Sequence, residues 1–216
     1  NTIANAAASC SLGAPAVAQS TISITGGATL RYTGSGHSSS RPVALASTGA
    51  IIDASGSGLL TLSGAMSGNT FGIVFTGTGT GLYSGAIGTT TGTVTKTGTG
   101  TWELSGTSTY TGATTISGGT LMAGAAVAVS TNGPFGNAST AIVMGNAATT
   151  TNNWSPTLLI DGAFTMARTI TIANQATSGT YTIGGNTDNN ATFSGAITFS
   201  QPFSVTQVAT TGGNIL

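Results

Sequence analysis

Few side chains in this chain of 216 residues can do acid–base or nucleophilic chemistry: one histidine, one cysteine, four acidic and four basic residues. His37 sits in a Ser/Gly tract with Arg41 close by, and a histidine beside serines can act as the base for a hydroxyl nucleophile. No Asp or Glu lies within 15 residues to orient it, so an exposed loop histidine is the plainer reading. Asp53 and Asp161 share a context, Ile-Ile-Asp-Ala and Leu-Ile-Asp-Gly. Paired carboxylates can hydrolyse polysaccharide, but these two are more than 100 residues apart. In the repeat described next that separation is about five coils, roughly 24 Å, so both read as turn-capping residues. Glu103 and Lys96 are placed to pair across a corner as a surface ion pair, which contributes little. Trp102 and Trp154 could be flat platforms for a sugar or simply filler. One His and one Cys make no metal cluster. The Gly-x-Gly string at 77–81 lacks the following helix and lysine of a phosphate loop. Catalytic, cofactor and metal residues are all expected to be absent.

What positions these residues is a repeat. Ser55-Gly56-Ser57-Gly58 leads to Leu62-Ser63-Gly64, Thr76-Gly77-Thr78-Gly79 to Tyr83-Ser84-Gly85, and Thr97-Gly98-Thr99-Gly100 to Leu104-Ser105-Gly106, each row 21 residues after the last. A constant period in this range marks a stacked repeat architecture. Within each unit apolar residues alternate and are broken by Gly and Ser, the pattern of short strands and turns. The sequence therefore predicts an all-β, right-handed parallel β-helix with about 21 residues per coil. Gly56, Gly77 and Gly98, with Gly64, Gly85 and Gly106, fall at corners that need positive φ or close backbone approach. Ser63, Ser84 and Ser105 stack, as do Leu62, Tyr83 and Leu104. The whole chain, 1–216, reads as one elongated unit of roughly ten coils and about 50 Å.

Only 4% of residues are charged and the net charge is zero. No basic patch exists for nucleic acid, and long-range repulsion against self-association is removed. Cys10 is alone, so no internal disulfide forms. A Cys-poor, Thr/Ser/Gly-rich chain suits secretion in an unfolded state. No apolar run is long enough to span a bilayer. No basic segment followed by an apolar one precedes Cys10, so signal-peptide and lipoprotein readings lack support and a processed or excised chain is expected.

Along the chain, residues 1–20 read as a strand-poor lead-in, 21–25 and 29–32 as strands, and 33–42 as a polar loop. The Gly-Gly pairs at 26–27, 118–119 and 184–185 read as turns, residues 124–139 as a turn-rich excursion, and the Thr/Asn tract 149–153 as a loop. No capping helix or charged cap is visible at either end, so the chain is expected to stack end to end or to be a window of a longer one. The sequons at Asn137, Asn153 and Asn190 match by spacing only.

Residues 94–121, from Val94-Thr95-Lys96-Thr97-Gly98-Thr99-Gly100-Thr101 through Leu104-Ser105-Gly106 and Tyr110-Thr111-Gly112 to Gly118-Gly119-Thr120-Leu121, closely resemble the autotransporter-associated β-strand repeat, also called the passenger-associated transport repeat. They depart from its pattern at Ser108, where Asn is usual, and at Glu103, where a smaller residue is commoner. The resemblance implies a β-helical passenger of a bacterial surface or secreted protein, a role in passage across the outer membrane, and no active site. The leading expectation is thus a non-catalytic extracellular rod or filament segment. The alternative is an adhesin that binds glycan or another cell-surface ligand through loops 33–41, 130–139 and 147–156. Two lesser readings are a polysaccharide-active enzyme and an ice-binding face built on the Thr76/Thr97, Thr78/Thr99 and Thr80/Thr101 rows.

Overall fold

The computed structural model describes residues 21–173 and 178–208. Short strands of two to five residues wind into a parallel stack with three faces. One face begins with Ile22–Ile24, Val43–Leu45, Met66–Ser67 and Ile87–Gly88. It resumes in the bridge Val127↔Met166 and the pair Thr165–Met166 with Thr192–Phe193. The second face runs through eight strands from Thr29–Tyr32 to Ile197–Phe199, and the third through eight from Ser35–Ser39 to Phe203–Gln207.

Alternation sets which side chains enter the stack. In Ile73–Thr76, Val94–Lys96 and Thr101–Leu104 every second residue is buried. The inward rows meet in one core: Leu62, Tyr83 and Leu104 lie in register and are buried. Phe75 packs between Tyr83 and Trp102, with ring centroids at 5.6 and 4.7 Å. Outward, the column Thr80, Thr101, Thr120, Thr157, Thr182, Ser204 stays in register over six coils. Its neighbours two residues on are Leu82, Glu103, Met122 and Leu159. Thr80 and Thr101 of the ice-binding reading thus belong to a longer hydroxyl column on this face.

The period of 21 is local. It holds for Ile73↔Val94 and Thr80↔Thr101, contracts in Thr101↔Thr120, and stretches in Thr115↔Val143 and Thr120↔Thr157. Insertions at corners absorb residues without adding strands, so the described chain makes about eight coils, not ten. Seven steps at ~4.8 Å span about 34 Å.

Three local expectations are corrected. Residues 35–39 form a strand in register with Gly58–Leu62, because the backbone completes the edge of the third face. The Thr/Asn tract is a helix, Ala147–Asn152. Its intrinsic propensity is poor, and caps decide the matter. The Asn146 side chain accepts from the Ala148 and Thr149 amides, Thr149 reciprocates at the Asn146 amide, and Asn153 ends the helix at φ 51°. Gly184 and Gly185 lie inside the strand Tyr181–Gly185 rather than in a turn. Expectations for residues 1–20, Cys10 and the last strand after 208 fall outside the described residues.

Candidate functional site

The structure separates the two aspartates that composition would pair. Asp53 lies on the second face, 3.3 Å from Arg31 Nε, and accepts from the Ser55 hydroxyl. Asp161 follows the third-face strand Thr157–Ile160 and accepts from Asn186 Nδ2 at 2.8 Å. His37, on Ser35–Ser39, is paired in register with Leu60. What approaches Asp161 is Glu103, on the same face. Burial raises the Glu103 carboxyl above the usual carboxylate range, and repulsion from Asp161 adds to it. Sequence spacing hides this neighbourhood, because the step from Thr120 to Thr157 brings 103 and 161 together across an insertion.

The Lys96–Glu103 surface pair does not form. Val94 and Lys96 are the inward positions of their strand, so the ammonium is enclosed and bonds carbonyls. Nζ donates to Thr97 O at 2.7 Å, Gly118 O at 3.1 Å and Gly98 O at 3.4 Å, tying one corner to the next coil's. Burial pushes its pKa down to about 7. Arg168, also enclosed, binds the insertion after Val127 through Thr140 O (2.7 Å from Nη2) and Phe135 O. Phe135 is fully buried and Asn137 N donates to Tyr110 O at 2.7 Å, so loop 130–139 is anchored to the stack by its middle.

The glycine columns are sites of contact. A Cβ on Gly64, Gly85 or Gly106 would lie 2.1 Å from the carbonyl oxygen of Arg41, Gly64 or Gly85, one coil back. Gly77 and Gly98 adopt positive φ, 117° and 70°; Gly56 instead approaches Gly34 O. Ser63, Ser84 and Ser105 donate their amides to the preceding coil. The same Ser-Gly step serves different corners. After Tyr83 it leads into the first face, and after Phe193 into the second.

The two tryptophans take opposite roles. Trp102 is core: its Nε1 donates to Thr76 O at 2.8 Å, and its ring occupies the space a side chain at Gly81 would need. Trp154 follows the capped helix and stays partly exposed. Its ring lies against Gly118, where a Cβ would come within 2.6 Å of Cδ2. Trp154 also lines a shallow cleft of about 220 Å³, with Thr99, Gly119, Asn153 and Ser155. No group of three or more His, Cys, Asp or Glu that could hold a metal occurs among the described residues, and none of their helices is long and apolar enough to cross a membrane.

No curated protein and no solved structure matches the chain. A family match covers residues 94–123. That stretch runs from the Lys96 corner through Trp102 and Ser105-Gly106 to the strand Thr120–Ala123, and it contains the contracted coil step. At its two departures from the pattern, Ser108 Oγ accepts from Ile87 N at 3.0 Å, and Glu103 faces outward beside Asp161. The matching family model is that of the passenger-associated transport repeat, and the chain is a parallel β-solenoid whose residues 94–123 are similar to that repeat.

Proposed function

We propose that this chain is a non-catalytic structural segment of a bacterial passenger, a β-solenoid rod that extends by stacking further coils at its open end outside the cell. One observation carries the reading. In the last described coil Phe199 and Val205 are 59% and 75% exposed, although their register partners Ile172 and Ile183 are buried core residues. The outer backbone edge of Phe203–Gln207 has no strand partner among the described residues. An unpaired parallel edge with apolar inward positions favours a further β-coil, since only that arrangement satisfies the amides and covers the side chains together. The match at 94–123 supports the passenger setting and with it a surface or secreted location.

Electron microscopy and sedimentation of the purified chain test the proposal. Fibres of solenoid width with an axial repeat near one subunit length are expected, and Val205→Asp is expected to shorten or abolish them. A monodisperse monomer whose Phe203–Gln207 amides exchange as slowly as those of Thr101–Leu104 would refute it.

A further inference from the structure

We infer that the Trp154 cleft is a binding subsite for a neutral hexopyranose, the terminal unit or a single internal unit of a glycan. It would be a function of the rod's flank, independent of how its ends stack.

One contact seats the ring directly, and the backbone on either side of it is tied down. Beneath it is Gly118, whose missing side chain lets the indole lie on the corner backbone. Before it in the chain comes the helix Ala147–Asn152, bolted to the stack by Thr149, a fully buried residue whose hydroxyl donates to Ser117 O at 2.7 Å. The Trp154 amide closes the helix by donating to Thr149 O at 3.1 Å. The adjacent Asn153 carboxamide clasps the next coil. It accepts from Ser178 N at 3.0 Å and Gly179 N at 3.1 Å and donates to Ser178 Oγ at 2.7 Å. The platform is thus preformed, and little ordering opposes binding.

The chemistry of the open side selects the ligand class. An indole face offers apolar area and a negative quadrupole to the axial C–H groups of a pyranose. Around it stand hydroxyls, not charges. Ser155 Oγ already accepts from Thr180 N at 3.2 Å, which leaves its own proton to donate outward. The exposed Thr99 hydroxyl makes no hydrogen bond to the described residues. Among the described residues none that lines the cleft is charged, so uronic or sialic acids gain nothing there. At about 220 Å³ the cleft is smaller than the ~300–1,000 Å³ typical of drug-sized ligands, and suits one ring.

Trp102 is buried, so a ligand-dependent change in tryptophan emission reports on Trp154. The purified chain is titrated with methyl glucoside, galactoside and mannoside, and with glucuronic acid as the charged counterpart. The expected result is a saturable spectral shift with at least one neutral glycoside and none with the uronate. Trp154→Phe should retain binding, Thr99→Ala should weaken it, and Trp154→Ala should weaken it about tenfold or more. Thermal melts guard against misfolding, and isothermal calorimetry reads binding to the alanine variant. Absence of saturation with all three neutral glycosides, equal response to the uronate, or undiminished affinity in folded Trp154→Ala would each overturn the inference.

Discussion

Raising the pH above 7 should stabilise this protein through Lys96. The unfolded side chain titrates at 10.5 and the folded one at about 7. Between those values the unfolded chain binds more protons than the folded one, so stability climbs with pH across the window. Below pH 7 the penalty of enclosing an ammonium is fully present, and it fades as the amine deprotonates. The difference, 10.5 − 7, is about 3.5 units, or a ceiling near 5 kcal/mol at 1.36 kcal/mol per unit. The three carbonyls that receive Nζ favour the charged form and trim that ceiling. Burial also raises the Tyr83 and Tyr110 phenols above their ordinary 10.0, so above that pH the unfolded chain ionises first and stability falls again. The clean interval is therefore pH 7 to 9.5, over which the two Lys96 values predict a gain of about 3 kcal/mol. Guanidinium unfolding followed by circular dichroism at both pH values measures it. Lys96→Met should be nearly flat over the same interval, since the thioether has no proton to lose. Parallel pH dependence in the two proteins would refute the assignment of an internal amine.

Three further perturbations test the packing. Gly81→Ala would push a Cβ to 2.6 Å from the Trp102 ring; a loss of about 1–3 kcal/mol in urea unfolding is expected, relieved by Trp102→Leu in the same chain. Glu103 titrates above its unfolded value of 4.5, so it withdraws stability as pH rises through the acid range. Glu103→Gln should flatten that limb and stabilise the neutral protein by less than ~1 kcal/mol, read from thermal melts at several pH values. Phe135 is the buried anchor of the insertion after Val127. Phe135→Ala should cost about 3–5 kcal/mol and open residues 128–141 to limited proteolysis.

The fold was legible because vertical neighbours repeat. Leu62, Tyr83 and Leu104 announce a 21-residue step, and they do stack. Lys96 is a different case: its strand is legible, its burial is not. Alternation puts Val94 and Lys96 on the same side, yet a lysine reads as a surface residue that pairs with Glu103. The partners that satisfy it, Thr97 O and Gly118 O, are backbone atoms with no signature in residue type. Helix Ala147–Asn152 was missed for a related reason. Thr and Asn argue for a loop by propensity, while the capping box from Asn146 to Thr149 spans only three residues and carries no apolar period. The Glu103–Asp161 neighbourhood and the seating of Trp154 on Gly118 both cross insertions of unequal length. Counting by 21 could not reach them.

Those insertions explain how a rod can acquire a specific surface. The Thr column from Thr80 to Ser204 survives register steps as different as Thr101↔Thr120 and Thr120↔Thr157. Pairing energy acts between a strand and the one above it, and it does not depend on how much chain lies at the corner between them. Each corner can therefore lengthen without cost to the stack, provided its own polar groups are satisfied. The two long corners here meet that condition by different means. Residues 128–141 insert Phe135 and accept from Arg168, and residues 145–156 cap a helix and hook Thr149 onto Ser117. The first of these buries its aromatic and the second presents one. Selection for stability alone favours the first arrangement. A partly exposed indole seated on a glycine shelf contributes less to stability than it would buried, and that difference is the physical reason to look for binding at this corner before any other.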